Sequence, residues 1–286
     1  MVTPFKADGS ISFDVAIELA DFLVKEGCDG LVIAGSTGEG SSLSDTEKLE
    51  LFACVAGAVE VPVLAGSTSS DTARSVELTS RLIETGVSGV LATTPAYARP
   101  SQKGIAAHFA AIAESTELPI MLYDIPSRTG RKIAATTTVD LVRSHSNIVA
   151  MKDASGDTAS AAHVKSVLGD DLDLYSGDDA VLLPFMAVGA IGIISVAAHW
   201  AAREFAGIIA AVERGDWAQA RAINERVAAS CKFESTDEYP NPMPSKAVLR
   251  VLGFDVGQCR LPHAPSDASL DEDAAKVVAA LRASRG

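Results

Sequence analysis

Aromatic residues are scarce in this 286-residue chain, where Phe, Tyr and Trp together make up 5%. Its core must be built from Ala, Val, Ile and Leu, as is common in α/β proteins. Hydrophobic residues reach 48%, ample for a substantial core. The length allows one large domain, or one large and one small. Cysteine is also sparse. Cys28, Cys54, Cys231 and Cys259 lie far apart without a C-x-x-C. That argues against a disulfide frame and a zinc pattern, and for reduced thiols in a cytoplasmic protein. The five histidines are scattered with no H-E-x-x-H, so no metal is expected. Basic charge is outweighed, 24 Lys and Arg against 37 Asp and Glu, for a net charge of −13. No basic cluster appears, which disfavours nucleic acid as a partner. No segment reaches the roughly 18 uncharged apolar residues of a membrane span. The longest apolar stretch, "AVGAIGIISVAAHWAA", is broken by glycines, Ser195 and His199. No basic N-terminus leads into an apolar run, so no signal peptide is visible.

What is present is an alternation. Short apolar runs fall at 2–5, 30–35, 61–67, 89–95, 118–125, 147–154, 173–179 and 191–197. Most are apolar on both faces, which suits a parallel sheet covered by helices. Between them lie helical stretches. "SFDVAIELADFLVKEG" has a Ser cap, an i, i+3, i+4 apolar spacing and a terminal glycine. "SDTEKLELFACVAGAV" has the capping-box spacing from Ser44 to Glu47. "DTARSVELTSRLIETG" and "SQKGIAAHFAAIAES" follow the same logic. Eight strands with intervening helices predict a (β/α)8 TIM barrel over 1–214. A doubly wound sheet more often shows G-x-G-x-x-G after its first strand, and none exists here. Strand signals stop after about residue 214, so 215–286 reads as a small helical C-terminal extension.

Reactive groups in such barrels sit at the C-terminal ends of the strands. The second run ends in "GSTGEG", 35–40, where Ser36 and Thr37 lie among glycines before a helix. Free backbone N–H groups beside hydroxyls form an anion site suited to a carboxylate, although the same letters also suit a tight turn with a helix cap. The fifth run ends in "LYDIPSRTG", with Tyr123 at its tip and Arg128 in the following loop. Each alone also reads blandly, as a core aromatic and a surface ion pair. The sixth run, "IVAMKDASGD", carries Lys152 at its end. A lysine there either snorkels to the rim or serves as an amine nucleophile, because desolvation favours the neutral amine that attacks a carbonyl. A carboxylate cradle, a phenol and a desolvated lysine on neighbouring strands together suit a 2-keto acid.

These residues resemble the dihydrodipicolinate synthase/N-acetylneuraminate lyase family of class I aldolases over essentially the full length. "GSTGE", "YDIPSRTG", "MKDASGD", "LYSGDD" and "GIISV" occur in the family's order and spacing. Arg128 in "SRTG", together with "TPAYARPSQKG" and "SGDD", resembles the synthase branch. The resemblance implies that Lys152 forms an imine with pyruvate, whose carboxylate Ser36 and Thr37 hold. It implies that Tyr123 relays protons, in a triad with Ser36 and with Tyr97 from a neighbouring subunit. Arg128 would bind the carboxylate of the second substrate, L-aspartate 4-semialdehyde, and the backbone of Gly177 and Ile194 would line the pocket. The implied activity belongs to lysine and diaminopimelate biosynthesis, needs no cofactor, and sits in a dimer or homotetramer. Another pyruvate aldolase, acting on N-acetylneuraminate or a keto-deoxy sugar acid, is the rival within the family. A non-catalytic barrel that senses a keto acid is the rival outside it.

Several positions depart from the family pattern. Ser36 stands where the synthase usually has Thr, and a Ser–Thr pair is typical of the lyase branch. Asp124 stands where Asn is common. Family members usually carry residues before the segment matching "VTPF", so an upstream start is expected. Many relatives are inhibited by lysine at a subunit interface. Alignment through "GSTGE", "AGSTSSDTARSVEL" and "TPAYARP" puts Ala96, Ser70 and Arg74 where those relatives have Tyr, Asn and Glu, with Asp45 and Lys48 at two His positions. Those exchanges imply insensitivity to lysine.

Overall fold

The computed structural model describes residues 1–285 and divides into two compact units, Met1–Val63 with Val196 onward, and Leu64–Ser195. Seven parallel strands hydrogen-bond in chain order.

The first unit holds β1 (Leu31–Ile33), flanked by α1 (Phe13–Lys25) and α2 (Asp45–Ala56). α1 buries Ala16, Leu19, Ala20 and Leu23, the spacing of one helical face. Ser12 precedes it without a side-chain cap bond. α2 begins with the expected capping box. Ser44 accepts from the Glu47 N–H, and the Glu47 carboxylate accepts from the Ser44 N–H at 2.8 Å. The Leu31 N–H donates to the Pro62 carbonyl at 2.9 Å, next to β2 (Val63–Ala65), the strand that crosses from one unit to the other.

The second unit continues with β3 (Gly89–Thr93), β4 (Ile120–Asp124), β5 (Ile148–Asp153), β6 (Asp173–Ser176) and β7 (Gly192–Ile193). α3 (Thr72–Ser80), α4 (Gln102–Ala113), α5 (Pro126–Thr129), α6 (Ala135–Ser144), α7 (Thr158–Leu168) and α8 (Leu182–Ala187) connect them. β4 is buried at every position, as a parallel strand between helical layers should be. The register aligns Thr93 with Tyr123, Tyr123 with Lys152, and Lys152 with Tyr175, so one polar rung runs across four strands.

The predicted first strand, 2–5, is not one of the seven. Phe5 makes only an isolated antiparallel bridge with Ile11. This segment's backbone groups find other partners. The Val2 N–H donates to His199 Nε2 at 3.0 Å, and the Phe5 N–H to the Val256 carbonyl at 3.1 Å. Beyond β7 the chain forms four helices among the described residues, α9 (Ala198–Glu213), α10 (Trp217–Phe233), α11 (Met243–Val251) and α12 (Ala268–Ala283), with irregular segments between them.

Candidate active site

Lys152 and Tyr123 lie side by side at the ends of β5 and β4. Lys152 is 8% exposed and Tyr123 3% exposed. The ammonium nitrogen of Lys152 sits 4.3 Å from the centroid of the Tyr123 ring. Among the described residues no carboxylate lies within ion-pair distance of that nitrogen. A structural lysine would be expected to have an acid or open water at its tip. Here the neighbour at the tip is the face of an aromatic ring.

Gly177 and Ile194 extend the same edge. The Gly177 N–H donates to the Asp153 carbonyl at 2.7 Å and the Ile194 N–H to the Ser176 carbonyl at 2.9 Å, so both lie one residue past their strands. A Cβ on Gly177 would stand 2.9 Å from Lys152 Cγ and 3.0 Å from its Cε. Glycine is therefore required for the lysine stem to pass. Asp153, the next residue of β5, is buried and receives the Ser155 N–H at 2.8 Å. Its register partner Asp124 is fully buried and accepts from the Ile133 N–H at 3.1 Å. Burial pushes the Asp124 carboxyl up to about 7, with the nearby Asp153 acting in the same direction.

Arg128 is exposed on α5, a single turn opened by Pro126 and closed by Gly130 at φ +75°. Tyr97 is not at the strand edge of this chain. Its side chain is 98% exposed, at the tip of the loop after β3. Its φ is +67°, and the Ala98 N–H closes onto the Ala96 carbonyl at 2.7 Å. This is a γ-turn of the uncommon, strained hand, held by a non-glycine residue.

Ser36 and Thr37 belong to the other unit, in the loop after β1. Both are half-buried. The loop is tightly folded, with the Glu39 N–H on the Ser36 carbonyl at 3.1 Å and the Gly40 N–H on the Gly35 carbonyl at 3.1 Å. A Cβ on Gly40 would fall 1.9 Å from the Ala34 carbonyl oxygen, so only glycine permits this closure. Thr3 Oγ1 donates to the Gly38 carbonyl at 2.6 Å.

Three residues that the sequence did not single out hold this loop. Glu39 and Lys246 form an ion pair at 2.7 Å with both side chains 1% exposed. The second Glu39 oxygen accepts from the Arg260 N–H at 2.8 Å, and Lys246 Nζ donates to the Gln258 carbonyl at 3.0 Å. Removing one member of such a buried pair costs on the order of 3–5 kcal/mol, because the other charge stays buried. Asn241 is the third. Its Nδ2 donates to Thr37 Oγ1 at 2.9 Å across 204 positions of sequence. The Asn-Pro dipeptide marks a turn in the sequence, but nothing local connects it to Thr37. Among the described residues no cluster of His, Cys, Asp and Glu could hold a metal.

The fold places a buried lysine beside a tyrosine at the C-terminal edge of a parallel sheet, where α/β enzymes carry their reactive groups, and comparison with known proteins makes the class that of the lyases. The model of the Dihydrodipicolinate synthetase family matches residues 1–281, and the chain belongs to this family. A 4-hydroxy-tetrahydrodipicolinate synthase of Mycobacterium leprae is 45% identical over 283 residues, covering 98% of this chain and 93% of that relative. The dihydrodipicolinate synthase of Cyanidioschyzon merolae, solved with lysine bound, superposes with a TM-score of 0.95 at 38% identity, covering 99% of this chain and 96% of the other. A chloride-inhibited dihydrodipicolinate synthase of Acinetobacter baumannii, complexed with pyruvate, gives a TM-score of 0.92 at 31% identity, covering 99% and 97%.

Proposed function

We propose that the chain is a 4-hydroxy-tetrahydrodipicolinate synthase that condenses pyruvate with L-aspartate 4-semialdehyde in lysine and diaminopimelate biosynthesis. The observation that carries this reading is Lys152, buried at the end of β5 with no carboxylate partner among the described residues and with Tyr123 against it. Nζ of the neutral amine attacks the pyruvate carbonyl carbon, water leaves, and an imine forms. Loss of a methyl proton gives the enamine. Its terminal carbon attacks the aldehyde carbon of the semialdehyde, forming the new C–C bond. The amine of the semialdehyde then attacks the imine carbon, closes the ring and displaces Lys152.

Each remaining residue has a role in this scheme. Ser36 and Thr37 hold the pyruvate carboxylate as hydrogen-bond donors. Tyr123, Ser36 and a partner subunit's copy of Tyr97 pass protons to and from the carbonyl oxygens. Arg128 takes the semialdehyde carboxylate, for which a planar guanidinium is suited. The backbone at Gly177 and Ile194 borders the pyruvate site. No cofactor is needed. The fold completing this arrangement is a closed (β/α)8 barrel over 1–214 with 215–286 as a helical extension, assembled as a homotetramer in the cytoplasm.

The Ser36–Thr37 pair favours a second reading, an aldolase acting on a keto-deoxy sugar acid or on N-acetylneuraminate. Steady-state turnover of pyruvate with a panel of aldehydes separates the two. A clear preference for L-aspartate 4-semialdehyde supports the synthase. A preference for a sugar aldehyde, with the semialdehyde inert, overturns it.

A further inference from the structure

We infer that Asn241 is a positioning residue for the carboxylate cradle, turning the Thr37 hydroxyl so that its own hydrogen points at the bound keto acid. The inference rests on the proposed role of Thr37.

A threonine hydroxyl has one hydrogen to give and two lone pairs to receive. Asn241 Nδ2 donates to Thr37 Oγ1 at 2.9 Å and so occupies one lone pair. The O–H vector must then point away from Asn241. Among the described residues no protein group takes that hydrogen. A carboxylate ligand can only accept, so a hydroxyl contributes to its binding only as a donor. A neighbour that accepted from Thr37 would occupy the hydrogen and leave lone pairs facing the ligand. Asn241 does the opposite.

The placement is well built for this task. Asn241 is 5% exposed, and its backbone N–H donates to Ser235 Oγ at 3.2 Å. It immediately precedes the turn into α11, the helix whose Lys246 pairs with Glu39, two residues beyond Thr37. The same C-terminal segment therefore grips the loop through the Glu39 carboxylate and sets its chemistry through Asn241. Without the amide, the hydroxyl hydrogen rotates freely, and ordering it falls to the ligand.

Kinetics on the full-length enzyme test this with Thr37→Ala, Asn241→Ala, Asn241→Asp and the double Ala variant. Asn241→Ala is expected to raise KM for pyruvate about tenfold, the size of one hydrogen bond to a charged group, with kcat changed less than about threefold. Asn241→Asp, isosteric with the native residue, is expected to raise it further. Its carboxylate accepts from Thr37 and repels the substrate anion. The pyruvate concentration that half-saturates borohydride trapping should shift in parallel with KM. On a Thr37→Ala background, Asn241→Ala should add little, because the two residues act as one unit. Should Asn241→Ala be too poorly folded to assay, the Asp variant decides alone. The inference is overturned if Thr37→Ala raises KM while Asn241→Asp leaves it unchanged, or if the two Ala effects add fully. If Thr37→Ala alters neither KM nor trapping, the cradle reading itself fails.

Discussion

Tyr123 and Lys152 are register partners on adjacent parallel strands, and the lysine nitrogen lies 4.3 Å from the tyrosine ring centroid. In-register neighbours on one face of a sheet stay within reach of each other without any loop having to hold them. The Cα atoms of the tyrosine and the lysine are thus fixed relative to each other by backbone hydrogen bonds. The third member proposed for the relay, Tyr97, is displayed outward on a strained turn.

That contrast yields the first prediction. Tyr97→Phe should leave the fold intact and cut turnover on the order of 100–10,000-fold, the range for losing a proton-transfer group. Tyr123→Phe should do the same. If Tyr97 acts across subunits, mixing the two inactive proteins under conditions of subunit exchange should restore activity, since some sites then contain both native hydroxyls. Isotope-labelled subunits followed by native mass spectrometry would establish exchange. Complete exchange without recovery would place Tyr97 in its own subunit's site or in none.

A second prediction concerns feedback. Ser70 Oγ donates to the Ala96 carbonyl at 3.0 Å, so the hydroxyl at the asparagine position is already engaged by the loop after β3. Ala96 offers no hydroxyl, and Arg74 lies exposed on α3 where relatives place an acid. Two like charges about 4 Å apart cost on the order of 1–4 kcal/mol at surface-like dielectrics, so lysine affinity should fall tenfold to several-hundredfold. L-Lysine up to a few millimolar should not inhibit at subsaturating pyruvate. Saturable inhibition in that range would contradict the expectation.

The third prediction follows from Asp124. Its buried carboxyl titrates at about 7, against 3.8 for an ordinary aspartate, so between those values the folded state holds a proton that the unfolded state has lost. Stability from this group is greatest at low pH and declines as pH rises towards 7. Asp124→Asn keeps an oxygen for the Ile133 N–H and removes the charge. It should stabilise the protein at pH 8 on the order of 1–4 kcal/mol and have little effect near pH 4. Denaturant melts at the two pH values measure this. Equal shifts at both would show that the carboxyl is not the cause.

The parts of the fold legible in the sequence were those governed by local pattern. The apolar runs marked the strands, and Ser44 with Glu47 marked the start of α2, because a capping box is a matter of four consecutive residues. Lys152 stood out because a charged residue ends an apolar run. The segment 2–5 misled, since its apolar letters serve an irregular stretch whose N–H groups bond His199 and Val256, both nearly 200 or more positions away. Asn241, Glu39 and Lys246 were invisible for the same reason. Their meaning lies in contacts that span the chain, and a buried glutamate or lysine looks in sequence like any solvated one.

Borohydride trapping with pyruvate, followed by peptide mass mapping, tests the central claim most directly. The reduced adduct should fall on the peptide containing Lys152, and Lys152→Arg should abolish it while keeping the fold, because a guanidinium stays protonated and cannot form the imine. An adduct on Lys165 or another lysine, or an undiminished adduct in Lys152→Arg, would contradict the account.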